Sequence, residues 1–146
     1  MKQTKGFTMI ELIVTLAVLA ILVGIAIPSY ISLMPRYRLS GATRQVATDL
    51  MKARMQAVKL STNVDVAFTT TGYTISGGSY SETFNIQSQY PGVSLSAKNN
   101  NGGADDPVFH PRGTISNAYP PVTVTLSNTS GSKQVQVNIA GRVKQL

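Results

Sequence analysis

The N-terminal stretch that decides the fold is residues 1–30, MKQTKGFTMIELIVTLAVLAILVGIAIPSY. A short basic head, residues 1–6, precedes the apolar segment 7–27, in which Glu11 is the one charged residue. Twenty-one residues of helix span about 31 Å, which matches the roughly 30 Å hydrocarbon core of a bilayer. A carboxylate is costly inside such a segment, so Glu11 is a functional candidate.

Two ordinary explanations of this segment account for only part of it. A secretory signal peptide has an apolar region of about 7–15 residues followed by a small-residue cleavage site, whereas this apolar run is longer and no such site follows it. A plain single-pass anchor fits better, because Lys2 and Lys5 place the basic end on the cytoplasmic side. That interpretation leaves Glu11 and the sharp boundary between Gly6 and Phe7 unexplained.

The string KGFTMIEL, residues 5–12, resembles the class III signal of type IV pilins and type II secretion pseudopilins. The resemblance implies that a prepilin peptidase cuts after Gly6 and methylates the new N-terminus at Phe7. It also makes Glu11 the fifth mature residue and the assembly glutamate, and makes Pro28 the proline that kinks the helix. The implied partner of Glu11 is the N-terminal amine of a neighbouring subunit, since a buried unpaired charge costs several kcal/mol.

Composition limits the chemistry that the chain can perform. The net charge is +7, and +5 once Lys2 and Lys5 are removed with the leader. With no cysteine, disulfides, zinc–cysteine sites and thiol catalysis are excluded. His110, the only histidine, has no evident catalytic partner, so we predict a non-enzyme with no cofactor and no metal. Many pilins carry a C-terminal disulfide loop, and its absence favours a pseudopilin or minor pilin.

A calcium site at Asp105 and Asp106 is conceivable because hard cations prefer several oxygen ligands. The spacing does not match an EF-hand, and adjacent side chains point opposite ways on an extended chain. The segment 99–106, NNNGGADD, is therefore predicted to be a loop.

The helix should continue past Pro28, with a bend there, through a second amphipathic half. Its apolar residues recur at three- and four-residue spacing: Leu39, Ala42, Val46, Leu50, Ala53, Ala57 and Leu60. The basic residues fall mostly off that stripe: Arg44, Lys52, Arg54 and Lys59. Two interpretations of this second face stay open, a solvated surface and a basic ligand-binding surface.

After Ser61 the period changes from 3.6 to 2, which predicts short strands. The predicted strands are 64–68, 73–76, 83–86 and 93–97, followed by a hairpin in which Val122, Val124 and Leu126 face Val135, Val137 and Ile139. Predicted turns cover 76–81 and 127–132. The predicted fold is α+β, with a leader at 1–6, a long helix at 7–60 whose 7–27 part is transmembrane, and a β-sandwich head at 61–146.

Two further strings, FHPRG at 109–113 and VQVNIAGRV at 135–143, resemble the GspH/FimT group of minor pseudopilins and minor pilins. The resemblance implies a structural minor pseudopilin of a type II secretion system. Such a subunit spans the inner membrane once, places its C-terminal domain in the periplasm, and assembles with other pilins or pseudopilins into a filament for protein secretion. The alternative is a FimT-like minor type IV pilin acting in pilus assembly or in DNA binding during uptake.

The C-terminal tail carries the one predicted binding feature. Extending the alternation of the last strand puts Gly141 and Val143 inward and Arg142 and Lys144 outward, about 6.6 Å apart. The pair resembles the Gly-Arg-x-Arg/Lys tail through which some FimT-type pilins bind DNA. Arg112 and Lys133 would enlarge the patch if they lie nearby, and a role in solubility stays open.

Overall fold

The computed structural model describes residues 6–98, 105–116 and 120–146. The chain divides into two compact units, Met1–Met34 and Pro35–Leu146. One helix, α1, runs from Met9 to Leu60 and continues through Pro28 and Pro35. The kink at Pro28 stays a prediction.

In the first unit the apolar side chains of α1 are exposed. Ile25 and Leu33 are 70% and 40% exposed, Phe7 just before the helix is 84% exposed, and the large hydrophobic residues between Phe7 and Leu33 are exposed as well. Among the described residues, α1 alone has both the length and the apolar composition that a membrane crossing requires. Since a monomer gains nothing by leaving such a surface in water, the segment needs lipid or another protein around it.

In the second unit α1 buries one stripe against two sheets. The predicted residues Leu39, Ala42, Val46, Leu50, Ala53 and Ala57 are all buried. Leu60 is not, because the helix ends there and leaves it 38% exposed.

Two four-stranded antiparallel sheets follow the helix and share one hydrophobic core with it. The first has the order β3-β2-β1-β5 and the second β4-β6-β7-β8. The bounds are β1 Val64–Phe68, β2 Gly72–Gly77, β3 Tyr80–Asn85, β4 Ser94–Lys98, β5 Val108–Phe109, β6 Val122–Asn128, β7 Gly131–Val137 and β8 Val143–Gln145, with a short helix α2 Ile86–Gln89 before β4. The predicted α+β class is confirmed.

The two predicted turns are shorter than expected. Pairing continues to Gly77 opposite Tyr80 in the first hairpin and to Asn128 opposite Gly131 in the second. Only two residues remain in each turn, because polar turn-forming residues can also complete a ladder. Ile86, predicted to end a strand, instead begins α2, where the Asn85 side chain accepts a hydrogen bond from the Ser88 amide at 3.0 Å.

Two polar contacts tie α1 to the first sheet. The Tyr73 hydroxyl donates to Asp49 Oδ2 at 2.5 Å, and both residues are buried. Burial, together with the Asp49 carboxylate, raises the pKa of Tyr73, so the phenol stays protonated and keeps donating. On the surface, Lys52 Nζ lies 2.6 Å from Glu82 Oε2 and 5.5 Å from the centre of the Phe84 ring.

Candidate functional site

The predicted processing and assembly residues lie at the start of α1. The Thr8 amide and hydroxyl both donate to Glu11 Oε2 at 2.8 Å, and the Glu11 amide donates to Thr8 Oγ1 at 3.3 Å. This reciprocal arrangement is a capping box, which satisfies amide groups that have no partner inside the helix. Thr-x-x-Glu is visible in the sequence, so a search for helix caps would have found this second role of Glu11.

The capping box fixes the Glu11 carboxylate near the helix start. A shallow apolar groove beside it is lined by Phe7, Ile10, Val14, Thr15 and Glu11 itself. Within the described part of the chain, no basic side chain forms an ion pair with Glu11. A carboxylate has about four acceptor positions, so the two bonds from Thr8 leave capacity for a further donor.

The C-terminal tail differs from the prediction. Strand β7 ends at Val137, and the chain reverses through a turn in which the Gly141 amide donates to the Asn138 carbonyl at 2.8 Å. The Asn138 side chain accepts from the Arg142 amide at 2.9 Å. Ile139 therefore lies in this turn and is 64% exposed, so its predicted place on the apolar face is wrong. The extension of one strand through Gly141 to Lys144 is also wrong, but Gly141 is buried and Arg142 and Lys144 are exposed, as predicted.

The turn brings Arg142 and Lys144 beside Gln136 and Asn138 at one depression. Strand β8 pairs antiparallel with β7 and sets Lys144 opposite Gln136. A shallow cavity of about 220 Å³ is lined by Gln136, Asn138, Arg142 and Lys144. The described residues of its lining are two cations and two amides, with no carboxylate among them, which suits an anionic ligand.

The two GspH/FimT-like strings meet beside this depression. The Ile115 amide donates to the Ile139 carbonyl at 3.1 Å, and Gly141 packs on Gly113 so closely that a Cβ at 141 would lie 2.0 Å from the Gly113 oxygen. Arg54 of α1 donates through Nε to that same oxygen at 2.8 Å. The sequence showed no link between residues 54, 113 and 141. Because Gly113 and Gly141 are in contact, the turn that contains Arg112 lies next to the turn that contains Arg142.

The other candidate residues have structural contacts. Lys133 donates to Ser40 Oγ at 3.0 Å and does not line the depression. Arg112 lines a neighbouring cavity with His110, whose Nδ1 lies 2.9 Å from Asn63 Oδ1.

The predicted loop at 99–106 is only partly covered, since residues 99–104 lie outside the described residues. Asp106 Oδ1 accepts from the Phe68 amide at 2.9 Å, and burial raises the pKa of Asp106. Among the described residues, no three acidic or histidine side chains converge as metal ligands would.

An exposed apolar N-terminal helix that begins with a prepilin-type boundary, attached to a small antiparallel head, defines the pilin class of filament subunits. The N-terminal methylation motif of prokaryotes matches residues 1–27, and the family "Type II transport protein GspH" matches residues 42–141. The chain belongs to the GspH family, whose members are structural subunits and not enzymes. By this family match it is a minor pseudopilin or minor pilin, and its prepilin motif and apolar helix indicate membrane anchoring.

The similar proteins include a type II secretion pseudopilin and a type IV pilin. A pilin-like protein, PilA1 of Thermus thermophilus, is 29% identical over 157 aligned positions that cover 96% of this chain and 97% of the relative. The minor pseudopilin EpsH from the type II secretion system of Vibrio cholerae has a TM-score of 0.59 at 11% identity, covering 75% of this chain and 93% of EpsH. The type IV minor pilin FimU of Pseudomonas aeruginosa has a TM-score of 0.56 at 20% identity, covering 76% and 90%. At these identities the two structures support the fold alone.

Proposed function

We propose that this protein is a structural minor pseudopilin of a type II secretion system, which enters an inner-membrane-anchored filament with its head in the periplasm. The observation that carries the proposal is the exposed apolar surface from Phe7 to Leu33 with a single carboxylate at Glu11. Such a surface suits lipid before assembly and the packed helices of a filament afterwards. The match to the GspH family favours a type II secretion system over a type IV pilus.

In this proposal Glu11 pairs with the N-terminal amine that prepilin peptidase exposes on Phe7 of a neighbouring subunit. The capping box fixes the carboxylate in advance, so little side-chain entropy is lost when the amine arrives. The pair fixes the axial register of the subunit, because a charge left alone among apolar helices is strongly unfavourable.

The test compares Glu11→Gln with Glu11→Ala. Glutamine keeps the capping box but removes the charge, whereas alanine removes both. Both variants should insert and be cleaved after Gly6, and both should be depleted from purified filaments. If Glu11→Gln enters filaments at the wild-type level, the carboxylate serves only to cap the helix and the charge pairing is refuted.

Whether the protein serves a type II secretion system or a type IV pilus is tested by deleting the gene and measuring protein secretion and surface pili in the same strain. A secretion pseudopilin requires secreted proteins to accumulate in the periplasm while surface pili persist. Wild-type protein should restore secretion, and Gly6→Val, which blocks the cleavage site, should not. Loss of pili with normal secretion would reject the secretion role.

A second candidate is a FimT-like minor type IV pilin that binds DNA during uptake. The observation in its favour is the depression that Arg142 and Lys144 share with Gln136 and Asn138. Binding there would be electrostatic and insensitive to base sequence, and each lost phosphate contact would lower the log–log salt slope by about 0.9 on duplex DNA.

The assay is a salt series with residues 35–146 and short duplex DNA. Arg142→Gln and Lys144→Gln should each weaken binding, whereas Lys98→Gln, an exposed cation on β4, should not. Equal binding by the wild type and the Arg142/Lys144 double variant would reject this candidate.

A further inference from the structure

The exposed face of the second half of α1 carries an apolar stripe that is not part of the hydrophobic core. Met51, Met55 and Val58 recur at four- and three-residue spacing and are 49%, 66% and 51% exposed. The core residues of the same turns, Ala53 and Ala57, face the other way and are fully buried. Single exposed hydrophobic residues are ordinary, but three in one helical stripe form a continuous surface.

A groove of about 330 Å³ adjoins this stripe. Its lining combines the apolar side chains of Met55 and Val58 with Gly113 and with the cations Arg54, Lys59 and Arg112. Among the residues that the structure describes, none that lines the groove is acidic. Arg54 is already anchored through its Nε to the Gly113 carbonyl, so its guanidinium is held at the groove with little entropy left to lose. Methionine adapts its shape to a partner, and arginine is enriched at protein interfaces.

We propose that this surface, the Met51–Val58 stripe with the adjoining groove, docks a different subunit of the same filament through an apolar segment flanked by Asp or Glu. The proposal rests on the proposed function as a filament subunit. A second copy of this chain in a symmetric pair would set the three cations against one another, which is unfavourable. An anionic lipid surface fits less well, because a flat bilayer meets the edges of a groove and leaves its interior unfilled.

The stripe and groove are small, and three apolar side chains bury far less than the roughly 1,200–2,000 Å² of a stable complex. The surface is therefore suited to select a neighbour within a filament that other contacts hold together. Charge complementarity supplies that selectivity, since a partner with a basic rim is repelled.

The chain has no cysteine, so a single Met55→Cys in the full-length protein provides a unique attachment point for a benzophenone-maleimide photo-crosslinker. Thr129→Cys, in the exposed turn between β6 and β7, is the matched control. Filaments are isolated from cells in which either variant replaces the wild type, irradiated and analysed by mass spectrometry. We expect position 55, and not position 129, to form adducts with another prepilin-signal subunit at a segment rich in Asp or Glu.

The charge requirement is tested in the Met55→Cys background. Lys59→Glu combined with Arg112→Glu should reduce the adduct about ten-fold, since two surface ion pairs are lost and replaced by repulsion. Lys59→Arg with Arg112→Lys should keep the adduct close to its original yield. Thermal unfolding of residues 35–146 with each pair of changes shows whether the head stays folded.

Several outcomes would overturn the inference. Adducts mainly with a second copy, adducts mainly with phospholipid, equal adducts at positions 55 and 129, or a yield unaffected by charge reversal each refute the docking surface while the protein is still found in filaments. If the wild-type protein is absent from the filament fraction, the proposed function fails and this inference fails with it.

Discussion

Replacing Gly141 by alanine tests the junction of Arg54, Gly113 and Gly141. Gly141 has a φ of +68°, and a Cβ there would lie 2.0 Å from the Gly113 oxygen and 3.1 Å from Arg54 Nε. Gly92 provides a matched control, because its φ is +86° but nothing lies within 4 Å of an added Cβ. Both substitutions impose the left-handed conformation on alanine, and only one of them creates a clash.

The expected loss of unfolding free energy has two contributions, the left-handed conformation and the clash. The left-handed conformation costs an L residue about 1 kcal/mol, which is the whole expected loss for Gly92→Ala. Relieving a 2.0 Å contact requires the turns to separate, which breaks the hydrogen bond from Arg54 to Gly113 and costs roughly a further 2 kcal/mol. Gly141→Ala should therefore lower the free energy of unfolding by about 3 kcal/mol.

The assay is thermal and urea unfolding of residues 35–146, which form one compact unit. In a domain of this size each kcal/mol corresponds to about 4–6 °C, so Gly141→Ala should lower Tm by about 12–18 °C and Gly92→Ala by about 4–6 °C. Equal losses for the two variants would show that Gly141 and Gly113 do not approach closely, and the account of the junction would be refuted.

Three further predictions concern other contacts. Tyr73→Phe leaves the buried Asp49 carboxyl without its hydroxyl donor and should cost about 1.5–3 kcal/mol in urea unfolding, whereas removing both polar groups in a Tyr73→Phe/Asp49→Leu variant should cost less than the sum of the single changes. Hydrogen bonds from a lysine and a tyrosine lower the pKa of Glu82, so its stabilisation is present above the unfolded carboxyl pKa of about 4.3 and is lost as the pH falls through the folded value. The Tm difference between wild type and Glu82→Gln should therefore be constant at neutral pH and shrink in acid, and a difference that grows in acid would contradict this sign. Finally, N-terminal sequencing of the mature protein should begin at Phe7, and Gly6→Val should abolish that cleavage; a mature start near residue 29 would indicate an ordinary signal peptide.

The periodicity of the sequence correctly predicted which residues are buried wherever burial depends only on the face of a single helix or strand. The stripe from Leu39 to Ala57 is buried because helical spacing alone aligns those residues. The strands around Val124 and Val135 are buried at alternate residues for the same kind of reason. The same logic was wrong at Ile139, because the pattern of a strand contains no information on where the strand ends. Here Asn138 ends it by binding the Arg142 amide with its side chain.

The sequence by itself determined the apolar N-terminal helix, the position of Glu11 within it and the change from helix to strands after Leu60. These features depend on spacing along the chain, which the sequence contains in full. Only the tertiary structure decided that Arg54, Gly113 and Gly141 meet, and that the turn after Val137 brings Arg142 and Lys144 beside Gln136 and Asn138. Contacts between residues far apart in the chain depend on how helix and sheets pack around a common core, and no local periodicity encodes that packing.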